Sequence, residues 1–548
     1  MLVIKDNSDN RLPLLYFGKV RKLTNCEIIY ANNINSGKKL MKPKNLLPIK
    51  YVLASSLMVL TSCSHITPTQ TVDKLPNPIE NTWWESGQAA LSKRLAMQPN
   101  NKKAKNVIVF IGDGMGISTI TAARIFDGQS RGQAGEENIL SFETFPYTAL
   151  VKTYNTNQQV PDSAGTASAI HSGIKTRAGV LGINEQARRA NCEEALINKV
   201  PIIGEIAEAK GMATGIVTTA RVTHATPASI YAHTPERNWE RDNETPPEAL
   251  EAGCHDIATQ LVEFDAGDGI DIVLGGGLRN FLPKDLGGER TETNLVQQWQ
   301  NQGGQFIASE AELKALDTDS DKPVMGLFSS SHMSYIADRK ADSIEPSLTD
   351  MTEVAIKKLA NSDKGYYLMV EGGRIDHAHH AGIAGKALLE TQEFANAIAK
   401  AISMVDLSET LILVTADHSH VFTIAGYPTR GNPILDLVRG NDASGEPTNE
   451  PTLALDDQPY TTLGYINGAG AIQGQRNAPE TGLHAHQQAA IPTGYHSATK
   501  GAKGSETHAG EDVALFAIGA KSHLVGGVME QHVIFHMIRH ALGWDSHN

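Results

Sequence analysis

Five short apolar runs in this chain each end in a cluster of polar residues or glycines, and that repeated punctuation restricts the fold more than any other feature. Residues 106–111 (NVIVFI) stop at Gly112-Asp113-Gly114-Met115-Gly116, and residues 215–219 (GIVTT) lead into 221–227 (RVTHATP). Residues 271–274 (DIVL) run into three glycines, 366–370 (YYLMV) into Glu371, and 411–415 (LILVT) into Ala416-Asp417-His418-Ser419-His420. Continuous hydrophobicity, as opposed to alternation, is what a strand needs when both of its faces are covered. Helical segments between the runs, such as 118–126, supply the crossovers that parallel strands require. In open α/β sheets, ligands gather at the carboxyl ends of the strands. The pattern therefore predicts an α/β protein with a largely parallel sheet and one shared active edge.

The richest of these ends is 370–380 (VEGGRIDHAHH), with two acids and three histidines in eleven positions. A helical turn beginning near Ile375 places Asp376 and His380 at i and i+4, on one face. A carboxylate and an imidazole so placed make half of a zinc site, to which a third ligand from elsewhere would leave an open coordination position. The same residues would also serve as a solvated strand-to-helix loop. The glycine-rich turn after residue 111 lacks the GxGxxG spacing of a dinucleotide loop and presents an acid, Asp113, at the strand end. Residues 160–170 (VPDSAGTASAI) read as a turn that starts a helix, with Ser163 at its N-terminus. Backbone N–H groups there favour a phosphate and a serine alkoxide, although a serine at that position can also be a helix cap without chemistry.

Ahead of the first strand, residues 41–50 (MKPKNLLPIK) form a basic stretch, and 51–60 (YVLASSLMVL) an apolar one too short for a permanent membrane span. It ends in 60–63 (LTSC), which resembles the bacterial lipoprotein signal, with Cys63 acylated as the first mature residue; an ordinary secretory signal is the alternative. Either reading exports the protein, to the periplasm or cell envelope, and the first tethers it to a membrane by lipid. We read residues 1–40 as a non-native extension, 41–62 as the signal peptide, and 63–100 as a tether followed by an N-terminal helix. Removing residues 1–62 takes ten Lys/Arg and three Asp/Glu from totals of 48 and 61, leaving 38 and 58 and a formal charge of -20. Such an acidic protein has no basic footprint for a nucleic-acid partner.

The segments IGDGMG, PDSAGTA, THATPASIYAH, EGGRIDHAHH, TADHSH and ETHAGED occur in an order that resembles the alkaline phosphatases, from residue 106 to the C-terminus. The wording is closer to the animal enzymes, and to bacterial ones resembling them, than to the enterobacterial form. The resemblance implies a three-layer α/β sandwich around a large, mostly parallel sheet. Its core would span 101–427, a crown-like insertion 428–496, and core completion 497–548, with a strand at 513–518 and a closing amphipathic helix at 527–542. It implies one Zn²⁺ held by Asp376, His380 and His508, and a second by Asp113, Asp417 and His418. A third ion, Mg²⁺, would be held by Asp113, Thr226 and Glu371.

His224 and His377 fall where some relatives carry an acid and a lysine, so Zn²⁺ or Co²⁺ are alternatives at the third site. Ser163 would be the nucleophile that becomes a phosphoserine, and Arg237, in 234–239 (TPERNW), the clamp on phosphate. Cys192 and Cys254 stand where animal relatives have a disulfide. Ser329 follows 326–328 (GLF) where those relatives place a calcium ligand, so calcium is not expected. His379, His420 and His496 match no ligand position and are expected behind the ligands or facing solvent. The implied activity is hydrolysis of small phosphate monoesters by a homodimer. A phosphodiesterase or sulfatase of the same superfamily is the runner-up. A non-catalytic binding lipoprotein would be favoured by loss of Ser163, Arg237 or a ligand, and all are present.

Overall fold

The structure is a computed structural model and describes residues 82–472, 474–492 and 504–545. The leader, Cys63, the tether and His496 lie outside the described residues. Fifteen strands occur among them: β1 (Asn106–Ile111), β2 (Tyr147–Lys152), β3 (Ala213–Arg221), β4 (Ile272–Gly276), β5 (Gln305–Ile307), β6 (Val324–Leu327), β7 (Tyr366–Glu371), β8 (Thr410–Thr415), β9 (Ser419–His420), β10 (Phe422–Ile424), β11 (Leu463–Asn467), β12 (Gln488–Ile491), β13 (His508–Ala509), β14 (Val513–Gly519) and β15 (Gly527–Glu530). Ten of them form one sheet in the order β15-β2-β14-β8-β1-β7-β3-β4-β6-β5. β14 runs antiparallel to both of its neighbours, β2 and β8, while the other pairings are parallel.

The middle of the sheet matches the continuous apolar runs. Every residue of β7 and β8, and all of β1 after Asn106, is buried. Successive side chains of a strand point to opposite faces, so both faces are covered by other elements. One layer contains the helices Ile117–Ser130, Leu348–Leu359 and Ala384–Met404, packed on one another. Its anchor on the sheet is Phe394, whose ring meets that of Phe110 edge-on at 5.9 Å. Truncating either buried phenylalanine to alanine would cost about 3–5 kcal/mol.

The closing segment is a helix only from Val533 to Ala541. Residues 527–530, expected within that helix, are instead the edge strand β15, paired in parallel with β2. Gly527 has φ +70°, a left-handed conformation that starts the strand and that no helix interior tolerates. The segment 428–496 contributes β11 and β12, which join β10 in a separate three-stranded sheet. Cys192 and Cys254 are joined in a disulfide with Cα atoms 6.0 Å apart, buried beside Trp239 and Ala249. It closes a loop of 62 residues and so restricts the unfolded chain by roughly 3–5 kcal/mol on the loop-entropy model.

Candidate active site

The sheet order sets β8, β1, β7 and β3 side by side, and their carboxyl ends carry the acidic and imidazole groups. Asp417 and His418 follow β8, Asp113 follows β1, and Glu371 ends β7. Asp376 and His380 lie on the helix Arg374–His380, and Thr226 on the short helix Ala225–Ala228 just after β3. His508 arrives on β13, which pairs with β9 so that His508 stands opposite His420. All eight residues singled out as metal ligands are thus brought to one edge. Gly114, with φ +68°, lets the chain pass there: a Cβ would run into the His420 ring.

The hydrogen bonds of each imidazole decide which nitrogen is left for a metal. His380 Nδ1 donates to the Glu506 carbonyl at 2.7 Å, and His508 Nδ1 to the Pro161 carbonyl at 2.8 Å. Both Nε2 lone pairs therefore face one another at 3.0 Å, with Asp376 Oδ1 3.4 and 3.5 Å away. Three electron-rich atoms so close repel unless a cation sits among them, and two imidazoles with a carboxylate suit Zn²⁺. Burial pushes the His380 imidazolium down to about 3, keeping it neutral and ligand-competent.

His420 also lies within reach of this group, but both of its nitrogens face carboxylates, Asp376 Oδ1 at 2.7 Å and Glu506 Oε2 at 2.5 Å. Burial opposes its charge, yet Glu506 and Asp376 outweigh burial and raise its pKa to about 10. With both nitrogens protonated it has no lone pair to offer and instead fixes Asp376. His379 is buried between the Thr119 hydroxyl at 2.9 Å and the Tyr465 hydroxyl at 2.8 Å.

At the second set, His418 Nε2 lies 3.4 Å from Asp113 Oδ1, 3.4 Å from Asp417 Oδ2 and 3.1 Å from Ser163 Oγ. Asp417 Oδ1 accepts from the backbone N–H groups of Gly114 and His418. Both carboxylate oxygens of Asp113, Glu371 Oε1 and Thr226 Oγ1 are buried without a hydrogen-bond partner. Buried acceptors are almost always paired, so these oxygens mark places where a cation belongs. Burial, then the neighbouring Asp417, Asp376 and Glu371, pushes the Asp113 carboxyl well up, and burial raises Glu371 to about 7. Divalent cations would keep such crowded acids ionised.

His224 Nδ1 or Nε2 can reach Asp113 and Glu371, but Nε2 is 3.1 Å from Arg237 Nη2. Arginine can only donate, so His224 Nε2 accepts and Nδ1 carries the proton. In this arrangement His224 Nδ1 is buried without a hydrogen-bond partner, and the third set is left as the all-oxygen trio Asp113, Thr226 and Glu371, suited to a hard ion.

Ser163 is the first residue of the buried helix Ser163–Ser172, capped by Asp162. Asp162 Oδ1 accepts from Gly165 N–H at 3.2 Å and Asn155 Nδ2 at 2.9 Å; Oδ2 accepts from Gly179 N–H at 2.9 Å and Arg237 Nη1 at 3.2 Å. One carboxylate therefore fixes both the serine's helix and the arginine. Burial works against the Arg237 charge, but Asp162 and Asp113 raise its pKa further. Sequence reading missed Asp162, although an acid just before a helix start is the usual cap. It also missed Glu506 and Gln531, whose Nε2 donates to the Asp417 carbonyl at 2.8 Å.

The alkaline phosphatase family model matches residues 104–544. The chain belongs to the alkaline phosphatase family. The tissue-nonspecific alkaline phosphatase of Felis catus is 41% identical over 513 residues, covering 89% of this chain and 93% of that one. The alkaline phosphatase of Gadus morhua is 41% identical over 487 residues, covering 85% and 97%. Among solved structures, Thermus thermophilus alkaline phosphatase superposes with a TM-score of 0.58 at 23% identity, covering 86% of this chain and 96% of that one. That of the Antarctic bacterium TAB5 gives 0.56 at 23%, covering 81% and 100%. The fold is accordingly the α/β alkaline phosphatase fold, and the protein is a phosphomonoesterase with metal cofactors. No helix among the described residues is long and apolar enough to cross a membrane.

Proposed function

We propose that this phosphomonoesterase works through a covalent phosphoserine on Ser163. Two Zn²⁺ would be held by Asp376, His380 and His508 and by Asp113, Asp417 and His418, and one Mg²⁺ by Asp113, Thr226 and Glu371. When bound, these ions supply the positive charge that favours the serine alkoxide and stabilises the departing ester oxygen. The observation that carries the reading is Ser163 Oγ at 3.1 Å from His418 Nε2, on the first turn of a helix capped by the carboxylate that also holds Arg237.

Ser163 Oγ forms a bond to phosphorus as the bond to the substrate's ester oxygen breaks, and the alcohol leaves with a proton. Water then adds to phosphorus, the Ser163 Oγ–P bond breaks, and inorganic phosphate departs. Each Nη of Arg237 spends one hydrogen on Asp162 or His224 and keeps a second, so the planar fork can hold two phosphate oxygens. Because the fork and the serine are both fixed before substrate arrives, catalysis is mostly positioning and charge stabilisation. Acid quenching during turnover of ³²P-labelled p-nitrophenyl phosphate should leave label on the peptide containing Ser163. No label, or label elsewhere, would refute the phosphoserine.

We further propose export, with Cys63 lipidated and the enzyme held at the cell envelope, and assembly as a homodimer. Sequence supports the first through the basic and apolar stretches before Cys63. The second draws support from the helix Thr82–Leu95, which buries none of its residues and exposes Trp83, Trp84, Leu91 and Leu95.

A further inference from the structure

Beside the third metal set lies a cluster of histidines and arginines that the phosphate chemistry does not use. His224, His377 and His332 stand at its centre: the ring centroids of His224 and His377 are 5.5 Å apart and those of His377 and His332 4.0 Å. His224 in turn touches the phosphate clamp, Arg237, so the cluster adjoins the phosphate centre. Arg374, three residues before His377 on one helix, lies on the same side of it.

The arginines around the cluster differ in how they are neutralised. Arg221 is paired with Glu240, its Nε at 2.8 Å, and Arg279 with Glu289 at 3.4 Å. The neighbouring Arg339 and Lys386 have Glu345 at 3.8 Å and Asp338 at 2.6 Å. Arg374 has no such partner among the described residues. Its guanidinium lies over the Tyr335 ring, 3.6 Å from the centroid, and its Nε is buried without a hydrogen-bond partner. Stacking uses the face of the guanidinium and leaves the in-plane N–H donors unspent. A buried donor without an acceptor is destabilising; His377 Nδ1, on the same helix, is also buried without a hydrogen-bond partner. The charges of Arg221 and Arg374 also act on His332, which with its burial keeps that ring neutral. The Arg374 guanidinium is therefore held in place with no carboxylate at salt-bridge distance among the described residues, the buried Glu390 acting on it from farther off.

We propose that Arg374, mounted on Tyr335 and flanked by His377, is an anion subsite that takes a second phosphate group carried by the substrate, several bonds from the ester that is cleaved. The proposal rests on the phosphomonoesterase reading and names a substrate class within it, the bisphosphorylated metabolites. Arg374 binds the remote group and takes no part in bond breaking.

The test compares kcat/KM on fructose 1,6-bisphosphate with that on fructose 6-phosphate, using the full chain supplied with Zn²⁺ and Mg²⁺. In Arg374→Gln the ratio of the two should fall on the order of 10-fold or more, as expected for loss of a charge-assisted contact. Arg374→Lys, which keeps the charge, should retain at least about a third of the wild-type ratio. An unchanged ratio in R374Q overturns the subsite, and so does an equally deep fall in R374K, which would reduce Arg374 to a support for its helix. Should R374Q yield no folded protein, Tyr335→Leu removes the platform and must lower the same ratio; an unchanged ratio there counts equally against the subsite. Wild type inert on both substrates would instead count against the phosphomonoesterase reading itself.

Discussion

The Nε2 atoms of His380 and His508 face each other across 3.0 Å while each ring's Nδ1 is bound to a backbone carbonyl. Neither ring can turn its proton inward without losing that bond, which leaves both lone pairs for the cation we propose there. His508→Ala should therefore remove about one zinc equivalent per chain and lower kcat/KM more than about 100-fold. Even groups behind the ligands cost roughly 10–100-fold in metal affinity, which is the loss expected for His420→Asn through Asp376. Elemental analysis of the purified variants checks both; full zinc content in H508A would contradict the ligand assignment.

Asp162 joins the helix that starts at Ser163 to Arg237, the phosphate clamp we propose, through four accepted hydrogen bonds. Asp162→Ala deletes the cap and leaves Arg237 without its carboxylate. The expected loss is about 1–3 kcal/mol, an N-cap being worth ~1 and a lost charged partner a similar amount. Asp162→Asn keeps the cap and should lose less. Urea unfolding of metal-loaded protein measures this, and a change below about 0.5 kcal/mol in D162A would show that the helix start is held by packing alone.

Glu208 gives a pH dependence away from the site. It is buried, its Oε1 takes the Thr214 hydroxyl at 2.5 Å, and burial with the nearby Asp271 and Asp268 raises its pKa to about 8 from 4.5. A carboxyl whose folded pKa is raised binds its proton more tightly in the folded state, so the stability it contributes is fully present below about 4.5 and is lost as pH rises through about 8. Glu208→Gln keeps the neutral shape and should flatten that part of the profile. Denaturation midpoints at several pH values between about 5 and 9 should fall more steeply for wild type than for E208Q; parallel curves would exclude Glu208.

How much of this was legible depended on whether the cause was local. β1, β7 and β8 could be read because strands buried on both faces must be continuously apolar. β2 has an alternating, half-exposed pattern and β5 only three residues, so neither rises above loop sequence; β15 was hidden by two glycines and the amphipathic pattern after them. Asp376 and His380 declare themselves by helical spacing. His508 joins them across 128 positions, a relation no periodicity encodes and which only the ordered motifs suggested. The role of Glu506 was illegible for the same reason: its carboxylate acts on His420, 86 residues away. Arg374 did not stand out in the sequence, because its missing ion-pair partner is a property of the fold.

The last prediction concerns His224, which touches Arg237 and lies within reach of Asp113 and Glu371. Its Nε2 accepts from Arg237 Nη2 at 3.1 Å, so its Nδ1 holds a proton and only oxygens remain to the third site, the arrangement Mg²⁺ prefers. Zn²⁺ has a higher affinity for imidazole. For Nδ1 of His224 to become a zinc ligand its proton must move to Nε2, and Nε2–H cannot accept from a guanidinium. Arg237 would then lose one of the two groups that hold it. Zinc in the third site and a firmly held clamp therefore exclude each other, whereas magnesium and the clamp do not. The inhibition constant for inorganic phosphate, measured with the two zinc sites filled, should rise several-fold when the third site is loaded with Zn²⁺ in place of Mg²⁺. The rise reflects a weakened charge-assisted contact worth on the order of 1 kcal/mol. In His224→Ala the clamp has no histidine to lose, so the two metals should give the same constant. Equal constants in wild type, or a metal-dependent difference that survives in H224A, would show that His224 does not couple the third site to Arg237.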